Sequence, residues 1–240
     1  MKRREFLTGS LALAVASASG RAAPEDRAAR PAAAGGKLTA PAKGEIPVAF
    51  AITEGFNVID MSGPWEVFQD VMLPERGADH GEQMPFRLFT VSETTSAVRG
   101  TGGLTVVPEY TFAKSPSPRV IVVGAQRGSP VLHEWLRKAS KTADVTMSVC
   151  TGAFQLARAG LLAGAAATTH HDFQDQLARE FPDVAVKRGL RFVEGPRIST
   201  AGGLTSGIDL ALRVVDRYFG RAAAERTAAY MEYQSRGWMV

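Results

Sequence analysis

The chain has 240 residues, 45% of them hydrophobic and 22% charged, a composition that excludes an intrinsically disordered protein. Its formal net charge of +4 sits mostly in residues 1–23, where Lys2, Arg3, Arg4 and Arg21 face only Glu5; the remainder holds 24 basic and 23 acidic side chains, a net of +1, and so lacks the basic footprint of a nucleic-acid binder. One cysteine, Cys150, excludes an internal disulfide.

In chain order, Met1–Ala23 reads as an export signal, with Lys2-Arg3-Arg4, Phe6-Leu7 and the apolar run Leu11–Ala18. Arg3-Arg4-Glu5-Phe6-Leu7 resembles a twin-arginine signal, and this implies a periplasmic protein. The run is far shorter than the roughly 20 residues of a membrane span. Residues 24–45 are rich in Ala, Pro, Gly and Lys without an apolar period and read as a disordered tether. A single folded domain is expected over 46–240. It starts at Ile46–Thr53, whose continuous apolar centre suits a buried parallel strand. Ser62-Gly63-Pro64 predicts a turn into a helix, with Pro64 near the first helical position, which leaves Asp60 in the loop beyond the strand. Further strands are expected at Phe86–Val91, Leu104–Val107 and Val120–Val123, the last closed by a turn at Gly124-Ala125-Gln126. Residues 74–85, with His80, read as a surface loop, and Ser129–Lys138 as an amphipathic helix.

The centre of the pattern is Asp144–Phe154, a short strand, Cys150 and the start of a helix over Thr151–Leu161. A strand-to-helix junction holds a side chain outward, and the free N–H groups of the helix start face it, favouring a thiolate. A lone cysteine is also a common small core residue, so the local pattern leaves both readings open. Beyond it come a strand Ala166–Thr169, a helix Phe173–Phe181, a strand pair Leu190–Val193 and Arg197–Thr200, and helices Ile208–Phe219 and Arg221–Ser235. His170 and His171 on an extended segment point to opposite sides, a poor chelating pair. No metal site and no cofactor are expected. The glycines of Ala201–Gly207 have neither the lysine nor the spacing of a phosphate loop, and fit tight strand–helix packing better. Strands alternating with helices predict an α/β fold, a mostly parallel sheet covered on both faces.

The set Gly55, Asp60-Met61-Ser62-Gly63-Pro64, Phe68, Ser148-Val149-Cys150-Thr151-Gly152-Ala153, Thr168-Thr169-His170 and Ser199-Thr200-Ala201-Gly202 with Gly207-Ile208-Asp209 resembles the ThiJ/PfpI superfamily, over about residues 46–235. The resemblance implies a flavodoxin-like, glutamine amidotransferase-like three-layer sandwich with a cysteine nucleophile elbow. Two branches are similar to the chain, isonitrile hydratase and the sensory domain of AraC-type regulators. The regulators continue into helix-turn-helix units, whereas this sequence stops at Val240 and starts with an export signal, so no DNA binding is expected. Protease-like members carry histidine after the cysteine; Thr151 stands there instead.

The resemblance implies Cys150 as nucleophile, Thr151 beside it, and Asp60 as acid/base. Backbone N–H groups of Gly124, Ala125 and Gly152 are expected around developing negative charge, although the Gly124-Ala125 turn equally serves only to turn the chain, and His170 is expected either in the pocket wall or in a structural role. Relatives commonly form homodimers, and a small-molecule substrate follows from the hydratase branch, with hydration of an isocyanide to an N-substituted formamide as the implied reaction. An exposed low-pKa thiol equally suits an oxidant or electrophile sensor. A ligand-binding domain without chemistry and a glyoxalase- or deglycase-like enzyme are the other expectations.

Overall fold

A computed structural model describes residues 35–42 and 44–240. The signal reading of Met1–Ala23, and the tether reading over 24–34, lie outside the described residues. In chain order the elements are β1 (Ile46–Ala51), α1 (Val58–Gln69), α2 (His80–Gln83), β2 (Phe86–Ser92), β3 (Val98–Arg99), β4 (Thr105–Val106), β5 (Tyr110–Thr111), β6 (Val120–Val123) and α3 (Pro130–Ala139). They continue through β7 (Val145–Ser148), α4 (Gly152–Arg158), β8 (Ala166–Ala167), α5 (Gln174–Glu180), β9 (Ala185–Val186), β10 (Phe192–Val193), β11 (Ile198–Ala201), α6 (Ser206–Phe219) and α7 (Arg221–Tyr230).

Seven strands form one sheet in the order β10-β11-β7-β6-β1-β2-β5, parallel throughout except for the β10–β11 pair. Alternation along each strand sends side chains to both faces. In β1, Ile46, Val48 and Phe50 join a core with Phe68, Leu210 and Val214 of the α1/α6 layer. Ala49 and Ala51 join the opposite core with Leu132, Leu136 and Phe154 of the α3/α4 layer. Burial on both faces is why these strands read as unbroken apolar runs, and the result is the expected three-layer α/β sandwich.

Several boundaries differ from expectation. Helix α1 starts at Val58, so Pro64 lies inside it and Asp60 belongs to its first turn instead of a loop. Thr105–Val106 pairs only with Val98–Arg99, in a ribbon apart from the main sheet, and Ala166–Ala167 likewise pairs only with Ala185–Val186. His80 opens the short α2. The tether reading fails from Gly35 onward. The Leu38 N–H donates to the Arg217 carbonyl at 2.8 Å, and Arg217, Arg119 and Arg76 donate to the carbonyls of Gly36, Thr39 and Pro41. Leu38 and Ala40 also pack on the core. Backbone carbonyls carry no sequence signal, so a segment held through them has no apolar period to read. The last helix ends at Tyr230, and the chain beyond it returns to bury Trp238 completely.

Candidate active site

Register brings the site together. Val123 of β6 pairs with Ser148 of β7 and with Ala51 of β1, so the three strands end level. The turns and helix starts beyond these strand ends meet at one edge of the sheet, the carboxyl edge where open α/β sheets carry their sites. After β7 the Val149 N–H still donates to the Val123 carbonyl at 3.0 Å, and then Cys150 turns to φ 57°. A non-glycine residue there is strained and persists only where its surroundings fix it. Two bonds do so: the Cys150 N–H donates to the Gly202 carbonyl at 2.8 Å, and the Thr169 hydroxyl donates to the Cys150 carbonyl at 2.8 Å. Cys150 therefore sits on an elbow, with 6% of its surface accessible.

Asp60 approaches from α1. It is fully buried, and its Oδ2 accepts the Ala125 N–H at 2.9 Å. Its Oδ1 has no hydrogen-bond partner of ordinary geometry; the Cys150 thiol is the titratable group that bears on the carboxyl. Gly124 makes this approach possible, because a Cβ there would stand 2.7 Å from the Asp60 Cβ. Burial raises the Asp60 pKa to about 6, against the opposing pull of the Ala125 N–H and the thiol. Burial also pushes the Cys150 thiol up to about 11, and the Asp60 charge adds to it. The N–H groups of Thr151 and Leu204 and the Thr151 hydroxyl act on the sulfur in the other direction.

The pull toward a thiolate expected at the helix start meets an opposing influence here. Helix α4 has only seven residues, too short to offset desolvation of the sulfur, and a carboxylate stands beside it. Burial and the Asp60 charge thus both push the thiol up, against the helix-start N–H groups. The exposed thiol expected of a sensor is corrected, since Cys150 is buried. Two backbone assignments change as well. The Ala125 N–H is occupied by Asp60, and the Gly152 N–H donates to the Val149 carbonyl at 2.9 Å, so neither is free for a substrate oxyanion. Gly152 instead allows α4 to pack on the Val123 carbonyl, where no Cβ fits. Thr151 and Asp60 are brought onto the cysteine; Gly124 contributes space.

His170 lies beside the cluster, packed on Gly203, and its Nδ1 accepts the Asp172 N–H at 3.3 Å. Its ring stacks on His171 with centroids 4.4 Å apart, a correction to the opposed arrangement expected of an extended pair. The chain turns at His171 into a short 3-10 segment, His171–Phe173, which puts both rings on one side. With Asp172 their ligand atoms lie within 4.8 Å of one another. A cleft of about 380 Å³ runs past Thr169, His170, Leu190, Arg191 and the Gly202–Ser206 loop. A larger cavity, about 590 Å³ against Trp135 of α3, touches none of the Cys150 cluster. Sequence reasoning missed Leu204 and Thr169 as partners of Cys150. The signal for both was present in the glycine-rich Ala201–Gly207 stretch and the Thr168-Thr169-His170 motif, but neither motif says which backbone group meets the sulfur.

Several known proteins are similar to this chain. The chain is 29% identical to isonitrile hydratase of Pseudomonas putida over 194 residues, 78% of each chain. It is 28% identical over 176 residues to the HTH-type transcriptional regulator CdhR of Pseudomonas aeruginosa, spanning 71% of this chain but only half of the regulator. A crystal structure of a ThiJ/PfpI family protein from Pseudomonas syringae superposes with a TM-score of 0.67 at 26% identity, covering 82% of this chain and 78% of that one. The DJ-1/PfpI family profile matches residues 47–217, most of the folded domain, and the chain belongs to the DJ-1/PfpI family.

Proposed function

We propose that the protein is a cysteine-dependent hydratase that converts small isocyanides to N-substituted formamides. The observation that carries the reading is the buried Asp60–Cys150 pair with Thr151 donating to the sulfur, together with the hydratase relative. With Asp60 ionised, its carboxylate takes the thiol proton, and the thiolate attacks the terminal carbon of R–N≡C. Asp60 returns that proton to the same carbon, giving the thioimidate R–N=CH–S–Cys150. Asp60 then draws a proton from water as the oxygen adds to the C=N carbon. The C–S bond breaks, nitrogen and sulfur end protonated, and R–NH–CHO leaves. Every atom of water is in the product, and no redox partner is needed.

The test is formamide production from an aromatic isocyanide, followed by loss of the isocyanide absorbance and by NMR, for wild type, Cys150→Ser and Asp60→Asn. Turnover by wild type alone supports the reading; no turnover above buffer for wild type sinks it for that substrate class. A second reading, a ligand-sensing domain, is favoured by the regulator relatives, of which the chain spans half. Saturable isocyanide binding by Cys150→Ser with no wild-type turnover distinguishes it. Export through the twin-arginine route and action as a homodimer belong to the same proposal; an intact Met1 in periplasmic protein argues against signal cleavage.

A further inference from the structure

The Gly202–Thr205 loop carries an anomaly that the proposed chemistry does not use. Leu204, a non-glycine residue, stands at φ 52°, a conformation that persists only where the surroundings hold it. Its own side chain does not hold it, being 41% exposed. The holding groups come from elsewhere. The Gly202 N–H donates to the Arg191 carbonyl at 2.9 Å, and Arg191 Nη2 donates to the Thr205 hydroxyl at 3.3 Å. The Tyr233 hydroxyl donates to the Thr205 carbonyl at 3.4 Å. Arg191 is itself fixed by Asp209, a fully buried carboxylate of α6, which accepts Arg191 Nε at 2.6 Å and the Ser235 hydroxyl at 3.0 Å. This braced loop meets the elbow: the Gly202 carbonyl accepts the Cys150 N–H at 2.8 Å, and the Leu204 N–H acts on the Cys150 sulfur in favour of its charged form.

We propose that Arg191 and Asp209, with Tyr233, are positioning residues for the nucleophile: their ion pair holds the Gly202–Thr205 loop in the strained form that aims the Leu204 N–H at Cys150. This rests on the reading of Cys150 as the nucleophile. The groups around the loop are Arg191 and Asp209, Tyr233 from the C-terminal segment, and His170 on Gly203; Asp60 of α1 is the one whose charge acts directly on the thiol. A donor lost from sulfur makes the thiolate rarer, and each unit of thiol pKa gained is a tenfold loss of thiolate below that pKa.

The experiment is the second-order rate of iodoacetamide alkylation of Cys150 at pH 8, read by intact mass, with thermal unfolding measured alongside. Arg191→Ala is expected to slow alkylation by about 3- to 10-fold. Arg191→Lys, which keeps charge but not the fork that reaches Asp209 and Thr205 together, and Tyr233→Phe are expected to slow it less. The direction separates positioning from plain stability, because a destabilised fold opens and alkylates a buried thiol faster. A reactive wild type with all three variants at or above its rate overturns the clamp alone. A folded wild type that resists alkylation at every pH overturns the nucleophile reading and the clamp with it. Should Arg191→Ala fail to fold, the two conservative variants carry the same test.

Discussion

Asp60 lies where α1 begins, with one oxygen on the Ala125 N–H and the other left for the thiol. A carboxyl held near 6 in the folded protein, against about 4 in an unfolded chain, binds its proton more tightly when folded. Its contribution to stability is therefore present below about pH 4 and is lost as pH rises through 6. At pH 7 the buried carboxylate costs about 3 kcal/mol. Asp60→Asn should raise the melting temperature by several degrees at pH 7 and leave it unchanged at pH 4, while removing isocyanide turnover; equal melting shifts at both pH values contradict the assignment. For wild type, kcat/KM should rise through about pH 6 as Asp60 becomes the base. The grouping of Cys150, Thr151 and Asp60 was legible in the sequence through motif and order. Their protonation was not, because desolvation depends on what covers a group, and the helix start alone points the other way.

At the scale of elements, the site exists because β1, β6 and β7 end level and α1 can lean on the β6 turn. Gly124 is the contact that allows it. Gly124→Ala forces a methyl into the Asp60 Cβ and should cost about 1–3 kcal/mol of stability. The same change should move Asp60 off the Ala125 N–H, and urea unfolding together with loss of the pH 6 limb checks both. The central sheet strands were legible because burial on both faces leaves unbroken apolar runs, whereas the two-residue edge strand Tyr110–Thr111 was not. Thr105–Val106 and Ala166–Ala167 fall within expected strands, but their two-residue partners Val98–Arg99 and Ala185–Val186 were not legible, being too short for any period to form. The start of α1 was misjudged because Gly63-Pro64 looks like a helix entry. The true entry uses the Asn57 N–H on the Ala125 carbonyl and the Val58 N–H on the Thr101 hydroxyl, contacts distant in sequence.

At the scale of the whole molecule, both ends of the described domain are fastened by side chains reaching across it. Residues 35–42 are held through arginines onto their carbonyls. The C-terminal segment is held by Trp238, fully buried, its indole N–H on the Ser235 carbonyl at 3.1 Å and the Arg221 guanidinium 5.1 Å above its ring. Trp238→Ala should cost about 3–5 kcal/mol in denaturant unfolding, and a change under about 1 kcal/mol contradicts this view of the segment. Composition marked one end as a tether and continued the last helix to Ser235, since neither fastening leaves a periodic trace. The segment also carries Tyr233 to the loop behind Cys150 and Ser235 to Asp209 of α6, so fastening the chain end and shaping the site are one arrangement.

The central claim is that the Asp60 charge adds to burial in disfavouring the Cys150 thiolate at rest, and that Asp60 takes the thiol proton in the reaction. Alkylation and turnover then respond to Asp60→Asn with opposite signs. Removing the carboxylate charge lets the thiol pKa fall, so alkylation at pH 8 should speed about 10-fold for each unit recovered, while formamide production from the aromatic isocyanide falls by at least about 100-fold, as expected for loss of a general acid/base. Alkylation that slows together with turnover, or turnover that survives the substitution, contradicts the account.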